Sequence, residues 1–369
     1  MLAERIARSV LFVIVALPLA ANADNPAPAP SLISTISVPG NPLRSFDISW
    51  VDEATETYYL ADRSNKAVDI FDAEHGTFIT RVGGFRGATA SNDFAGPNGI
   101  VAIGSLHEVW AGDGDSTVKV IDVRSSPPQI VANISTGGTA RADEMAFDER
   151  DHLLLVANDA DDPPFVSLIS TQSREVVGKI IFKEASNGLE QPVWDPATQL
   201  FYLSVPELNG DPHHGEIAVI EPRSMSIVDA FPVSECEPAG LVLGPDQHLL
   251  VGCSQDAIAA GFAPKTLVLD ARTGDTVATI TQVGGSDQVW FNKGDNRYYL
   301  AARGMTPPVL GVIDADTNSW LANVPTGANS HSVAADRKNN HVFVPLRAPN
   351  AHCPNGCIGV FASDVDAAR

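Results

Sequence analysis

Side chains that can bind a metal ion recur along the chain about every 47 residues. The positions are Asp47, Pro97 or Asn98, Asp143, Glu190, Glu237 or Pro238, Asp287 and His331. Carboxylate and amide oxygens suit Ca²⁺ or Mg²⁺ better than Zn²⁺. The sequence therefore predicts a divalent-cation site if the fold brings these positions together. The alternative is that the acids hydrogen-bond to backbone amides or stay solvated.

Different positions suggest different roles at such a site. We expect the metal ligands to be Glu190, Asn98, Asp287, Asp47 and Asp143. The candidate catalytic residues are His331 and Glu144, because an imidazole or a carboxylate can activate water. The predicted substrate-binding residues are Arg303, Arg347, Gln191 and Gln288. The two arginines either clamp a substrate carboxylate or neutralise the acids.

A second candidate metal site lies in the segment 207–216. His213 and His214 stand there beside Asp211 and Glu216, a combination that can bind a transition metal or remain solvated. The sequence contains no G-x-S-x-G, no C-x-x-C-H and no phosphate-binding glycine-rich loop before a helix. We therefore expect no nucleotide, flavin or haem cofactor.

A short apolar strand that usually ends in a polar residue occurs seven times. The copies are 68–72 (VDIFD), 118–122 (VKVID), 166–170 (VSLIS), 217–221 (IAVIE), 266–270 (TLVLD), 310–314 (LGVID) and 358–362 (IGVFA). Two further strands precede each copy, and a fourth strand follows all but the last. The period of about 47 residues is typical of a propeller blade. The sequence predicts an all-β, seven-bladed β-propeller with four-stranded antiparallel blades.

The strand that the last repeat lacks is found at the other end of the chain. Residues 32–40 (LISTISVPG) end like the fourth strand of the sixth repeat, 319–327 (SWLANVPTG). We expect this N-terminal strand to pair in the last blade and close the ring, because an unpaired terminal edge would fray and aggregate. The tryptophans of the inner strands, Trp50, Trp194 and Trp290, are predicted to pack between blades.

The repeats, with turns such as Asp270-Ala-Arg-Thr-Gly274, resemble YVTN and NHL-type repeat propellers over about residues 31–363. Two strings resemble the gluconolactonase and regucalcin-type propellers: 189–196 (LEQPVWDP) and 96–99 (GPNG). That resemblance implies that Glu190 and Asn98 bind a metal. The family is six-bladed and its Glu precedes its Asn in the chain, whereas the order is reversed here.

The N-terminus and the charge predict an exported protein. Residues 1–23 have the basic start, apolar run and A-x-A ending of a signal peptide, and 24–30 form a Pro/Ala-rich spacer. A single anchor helix is the alternative; after cleavage we expect no membrane span. Residues 31–369 are predicted to form one propeller domain, periplasmic or secreted. A net charge of -21 argues against nucleic acid as a partner.

The four cysteines fit an oxidising compartment. Cys236 and Cys253 flank a predicted hairpin and should lie nearly opposite each other, while Cys353 and Cys357 bracket a Pro-Asn-Gly turn. We expect two local disulfides. The alternative for the second pair is a metal site that includes His352.

These observations favour a monomeric binding module. Its loop face would bind a small molecule, a metal or a protein partner at the mouth of the central channel. The alternative function is a divalent-metal-dependent hydrolase of the lactonase or esterase type. An accessory subunit for a periplasmic redox enzyme is a third possibility, because acidic charge suits a basic cytochrome.

Overall fold

The computed structural model describes residues 28–363, which form seven four-stranded antiparallel sheets. The predicted seven-bladed β-propeller is therefore confirmed. The predicted signal peptide and residues 24–27 of the predicted spacer lie outside the described residues. Within residues 28–363, no helix is both long and apolar enough to cross a membrane.

The first six blades each use four consecutive strands, ordered from the channel outward. Blade 1 contains β2 (Ser49–Asp52), β3 (Thr57–Asp62), β4 (Ala67–Asp72) and β5 (Thr77–Gly83). Blade 2 contains β6 (Ile100–Ile103), β7 (Glu108–Asp113), β8 (Thr117–Asp122) and β9 (Gln129–Ser135). Blade 3 contains β10 (Met145–Asp148), β11 (Leu153–Asn158), β12 (Phe165–Ser170) and β13 (Glu175–Ile181).

Blades 4 to 6 repeat this order. Blade 4 contains β14 (Pro192–Asp195), β15 (Leu200–Val205), β16 (His214–Glu221) and β17 (Ser226–Ser234). Blade 5 contains β18 (Pro238–Leu243), β19 (His248–Cys253), β20 (Thr266–Asp270) and β21 (Thr276–Ile280). Blade 6 contains β22 (Val289–Asn292), β23 (Arg297–Ala302), β24 (Val309–Asp314) and β25 (Ser319–Pro325). The short helices are α1 (Gln255–Ala259) and two 3-10 turns (Asn92–Phe94 and Pro245–Gln247).

Blade 7 is assembled from both ends of the described chain. It contains β26 (Ala334–Ala335), β27 (Val342–Leu346), β28 (Cys357–Ala362) and β1 (Ser31–Ser37). Strand β1 pairs antiparallel with β28, from Ser31 opposite Ala362 to Ser37 opposite Cys357. This pairing confirms the predicted closure of the ring by the N-terminal strand.

The burial of the strands explains their sequences. The second and third strands of a blade lie between neighbouring blades, so both of their faces are buried, as in β7 (EVWAGD), where every residue is buried. Outer strands have one face in water and alternate, as in β9 (QIVANIS). The predicted turn at 270–274 forms: Asp270 accepts from the Arg272 amide at 2.7 Å, and Gly274 has a φ of +74°.

Both predicted disulfides form. Cys236 is bonded to Cys253 and Cys353 to Cys357, with Cα–Cα distances of 4.5 and 6.0 Å. The second bond removes the thiolates that the alternative metal site beside His352 required. Its loop also supports ring closure, because the Asn355 carbonyl accepts from the Leu43 amide at 2.8 Å.

Two buried glutamines connect neighbouring blades around the channel. The Gln288 Oε1 accepts from the Ser332 hydroxyl at 2.8 Å and the Val333 amide at 3.0 Å, and its Nε2 donates to the Ser49 carbonyl at 2.8 Å. Gln288 therefore links blades 6, 7 and 1. Gln191 links blades 4, 5 and 6 through its Oε1, which accepts from the Leu241 and Val289 amides at 3.0 and 3.2 Å.

We expect Gln288→Met to lower the free energy of unfolding by about 2–3 kcal/mol, because two buried donors on blade 7 lose their acceptor and the Ser49 carbonyl on blade 1 loses its donor. Urea denaturation measures this change. Gln282→Met, at an exposed glutamine, is the matched control and should change stability by less than about 0.5 kcal/mol. Equal stability of Gln288→Met and the control would contradict the linking role.

Candidate functional site

A polar cavity of about 560 Å³ occupies one end of the central channel. Several of its acids directly precede the innermost strands: Asp47 lies near the start of β2, Asp143 and Glu144 precede β10, and Asp287 lies near the start of β22. Ring closure brings the starts of these strands together, although they are far apart in sequence. The same cavity also includes Arg44, Arg63, Arg141, Glu190, Arg303, His331 and Arg347.

Three carboxylates form a cluster within this cavity. Glu144, Glu190 and Asp287 can each place one oxygen so that all three lie within 4.8 Å of one another. Ca²⁺ binds oxygens at about 2.4 Å, so oxygens on opposite sides of the ion are about 4.8 Å apart. The donor set is all oxygen, which fits Ca²⁺ better than Zn²⁺.

Three arginines pair with acids of the cavity, including Asp287 of the cluster. Arg63 forms a salt bridge with Asp47, and Arg303 contacts Asp287 at 2.9 Å. Arg141 lies 2.9 Å from Asp143 and also pairs with Asp159. These bridges fix the acids in place and compensate their burial.

Arg63 and Arg141 were not predicted from the sequence. A signal existed for Arg63, because it directly follows the second strand of its blade, as Arg303 and Arg347 do in theirs. Arg141 precedes Asp143 in a loop, and nothing in its spacing distinguishes it. The sequence therefore indicated the acids better than the cations that hold them.

The environment of Asp47 favours its charged form. Burial alone would raise the pKa of this carboxyl, but Arg63 and a hydrogen bond from His331 outweigh burial and lower the pKa to about 2. Asp47 therefore remains a carboxylate and is already engaged by a cation.

The environment of Glu144 and Glu190 favours their neutral forms. Burial raises the pKa of both carboxyls well above the usual range, and the negative charges of Asp287 and Asp143 raise it further. In the described part of the chain, no salt bridge reaches either side chain. These two acids must each take up a proton or share a bound cation.

His331 lies in the same cavity with both ring nitrogens facing acceptors. Its Nδ1 is 2.8 Å from the Asn329 carbonyl, and its Nε2 is 3.4 Å from Asp47. The ring stacks on Phe46, with a centroid distance of 4.6 Å and an interplanar angle of 7°. The imidazole is thus held rigidly at the wall of the cavity.

The other candidate metal ligands lie in different environments and have different hydrogen-bond partners. Asn98 is fully buried: its Oδ1 accepts from Arg63 at 2.7 Å, and its Nδ2 donates to the Ala142 carbonyl at 2.9 Å. Asp47 and Asp143 line the cavity but face arginines. Glu237, the alternative to Pro238 among the positions that recur about every 47 residues, is buried and accepts from Asn187 at 3.1 Å.

The remaining candidates lie apart from the acidic cluster or at its rim. Gln191 and Gln288 make the blade-linking hydrogen bonds described above. Arg347 is exposed at the cavity and donates from Nε to the Arg44 carbonyl at 2.7 Å. His213 and His214 are exposed near Asp211, with Asp211–histidine distances of 2.9 and 3.6 Å.

Comparisons with known proteins define the fold and no finer class. No protein-family model and no curated protein sequence matches the chain. A chain of the hydrazine synthase structure from Kuenenia stuttgartiensis is similar with a TM-score of 0.66 and 14% identity, covering 95% of this chain and all of that one. A chain of a mitotic checkpoint complex structure has a TM-score of 0.67 and 13% identity, covering 98% of this chain and all of that one.

Similarity at this identity shows a common propeller fold and does not transfer a function. Fold and site together define a seven-bladed β-propeller with a mixed acidic and arginine-lined cavity at one end of its channel.

We expect the stability of the metal-free protein to fall as the pH rises from about 5 to about 8. Glu144 and Glu190 retain protons in the folded state at pH values where the unfolded chain has released them, so raising the pH favours unfolding. In the double variant Glu144→Gln/Glu190→Gln this loss should shrink by on the order of 1–2 kcal/mol. Urea denaturation in a chelator at both pH values measures it.

The control for this experiment is Glu149→Gln, which neutralises an exposed acid outside the cavity. It should retain the wild-type pH dependence. An unchanged pH dependence in the double variant would mean that neither glutamate holds a proton in the folded protein.

Proposed function

We propose that this protein is an exported binding module whose channel mouth binds one Ca²⁺ and, next to it, an anionic small molecule. The observation that carries the proposal is the cluster of Glu144, Glu190 and Asp287, whose oxygens can lie within 4.8 Å of one another. Two of these acids have no salt-bridge partner in the described part of the chain. A divalent cation would relieve their mutual repulsion.

The charge of the cavity supports an anionic ligand. Five carboxylates and five arginines line it, so their formal charges cancel. A bound divalent cation would leave an excess of two positive charges. Arg44 and Arg347, both exposed at the rim, are available to an incoming carboxylate. A bound cation would itself supply a positive charge to hold the ligand.

Two sequence features add support to parts of this proposal. Glu190 lies in the string that resembles the gluconolactonase and regucalcin-type propellers, and it belongs to the cluster. Asn98, from the second string, is held by Arg63 and the Ala142 carbonyl, so we assign it no metal contact. The two disulfides support a periplasmic or secreted location, and the YVTN/NHL-type repeat is the family we favour.

We expect the purified protein to bind one Ca²⁺ per chain by isothermal titration calorimetry. Glu190→Gln and Glu144→Gln should each weaken binding by about a hundredfold or more, because each removes a charged ligand. Wild-type affinity should rise from about pH 5.5 to about pH 8, because the ion competes with protons on these glutamates. The wild type should also gain thermal stability with added Ca²⁺.

The matched control is Glu237→Gln, which neutralises a buried acid outside the cluster. Its Ca²⁺ affinity should equal that of the wild type. Absence of Ca²⁺ binding in the wild type, or equal loss in the control, would refute the cation site.

A metal-dependent hydrolase is the second candidate function, and His331 in the same cavity is the observation that favours it. A bound cation would polarise a lactone or ester carbonyl. His331 and Glu144 would then be the groups that move a proton. His331 must release its contact with Asp47 or with the Asn329 carbonyl before it can accept one. This requirement makes the binding module our first choice.

Turnover assays separate the two functions. If the protein is a hydrolase, lactone or ester turnover is lost on chelation, returns with Ca²⁺, and falls about a hundredfold or more in His331→Gln. Ca²⁺ affinity should stay unchanged in that variant. Ca²⁺ binding without turnover of any lactone or ester would exclude the hydrolase and leave the binding module.

A further inference from the structure

A second cavity, of about 320 Å³, occupies the central channel alongside the innermost strands. Its walls are mainly apolar and come from blades 1 to 6. The large side chains that line it are Trp50, Phe147, Trp194, Trp290 and Phe291. We call this cavity the apolar chamber. It shares only Ile48 and Glu144 with the polar cavity.

The aromatic side chains of the apolar chamber do not fill the channel. Trp50 contacts Trp290 edge to face, at a centroid distance of 5.1 Å. Trp50, Phe147, Trp194 and Phe291 are nevertheless only half-buried, although they belong to the innermost strands of the ring. Apolar surface that borders open space lacks the contacts of a packed core. An apolar molecule inside the chamber would supply them.

Charged groups are sparse around the apolar chamber. Lys293, which follows β22, is its only basic lining residue, and it is exposed. No salt bridge to Lys293 occurs in the described part of the chain. Glu144 is the only acidic lining residue. The chamber therefore offers apolar walls for the body of a ligand and one cationic side chain, Lys293, that can pair with a negatively charged group of that ligand.

We propose that the apolar chamber binds a small aromatic acid: an apolar molecule of about two fused rings with one carboxylate that pairs with Lys293. The size follows from the volume, since an apolar cavity of about 150 Å³ accepts benzene and this one is about twice as large. The stacking surface comes from the tryptophans and phenylalanines. This site adjoins the proposed Ca²⁺ site at Glu144, which lines both cavities, but its aromatic walls and Lys293 take no part in cation binding.

Titration with 1-naphthoate, followed by tryptophan fluorescence and calorimetry, tests the proposal. We expect one saturable site per chain with a Kd on the order of 1 mM. 1-Naphthamide, which has the same shape without the charge, should bind about fivefold more weakly. Lys293→Met should lower the affinity for naphthoate to that for the amide, whereas Lys183→Met, at another exposed lysine, should change neither.

A variant that fills the cavity provides a second test. Ala102 is half-buried and lines the chamber, so Ala102→Phe should abolish binding of both probes. Glu190→Gln should leave naphthoate binding within about twofold of the wild type, which separates failure of the Ca²⁺ site from failure of this site.

Three results would overturn the proposal. They are the absence of saturable naphthoate binding to the folded wild type, undiminished binding in folded Ala102→Phe, and equal binding of both probes with no effect of Lys293→Met. Should Ala102→Phe fail to fold, the exposed Lys293→Met variant and the two probes still decide between these outcomes.

Discussion

Electrostatic compensation at the channel mouth is the constraint on which this protein depends. Closing seven blades into a ring forces the starts of the innermost strands together, and several of these starts carry acids. Arg63, Arg141 and Arg303 make this arrangement possible, because each pairs with a carboxylate that ring closure removes largely from water. The mouth is therefore a charge network, and the channel walls beyond it are free to be apolar.

The same network divides the acids into two groups. Asp47 is stabilised as an anion by Arg63, whereas Glu144 and Glu190 are destabilised as anions by burial and by neighbouring charge. Acids at similar positions of different repeats thus have pKa values that are shifted in opposite directions. Such divergence is typical of functional sites, and it distinguishes Glu144 and Glu190, which precede strands of blades 3 and 4, from Asp47, which precedes blade 1.

The repeat pattern was enough to predict the fold. The candidate site also depends on side-chain contacts between residues that are distant in sequence, and a repeat pattern does not contain those contacts. Seven copies of one strand motif predicted the blades and the closing strand, because strand pairing follows local alternation and repeat length. The two disulfide pairs followed from a predicted hairpin and a predicted turn that bring each pair of cysteines together. Five of the polar positions that recur about every 47 residues line the polar cavity, and they are Asp47, Asp143, Glu190, Asp287 and His331. The recurring pattern could not distinguish Glu144 from its neighbour Asp143, because the difference comes from Arg141, which pairs with Asp143 and lies in a loop whose spacing carries no signal. Nor could it assign Asn98, whose orientation depends on Arg63, a residue distant in sequence.

The partnership between β1 and β28 has a consequence for how this chain matures. Strand β1 is synthesised before the other described strands, but it can pair with β28 only after β28, the last of them, has been made. Until then six blades expose a bare sheet edge, and the entropy of joining such distant segments opposes their meeting. A nearly complete chain therefore passes through an aggregation-prone intermediate with an unpaired strand edge. Pairing of the final strands with β1 closes the ring and removes that edge.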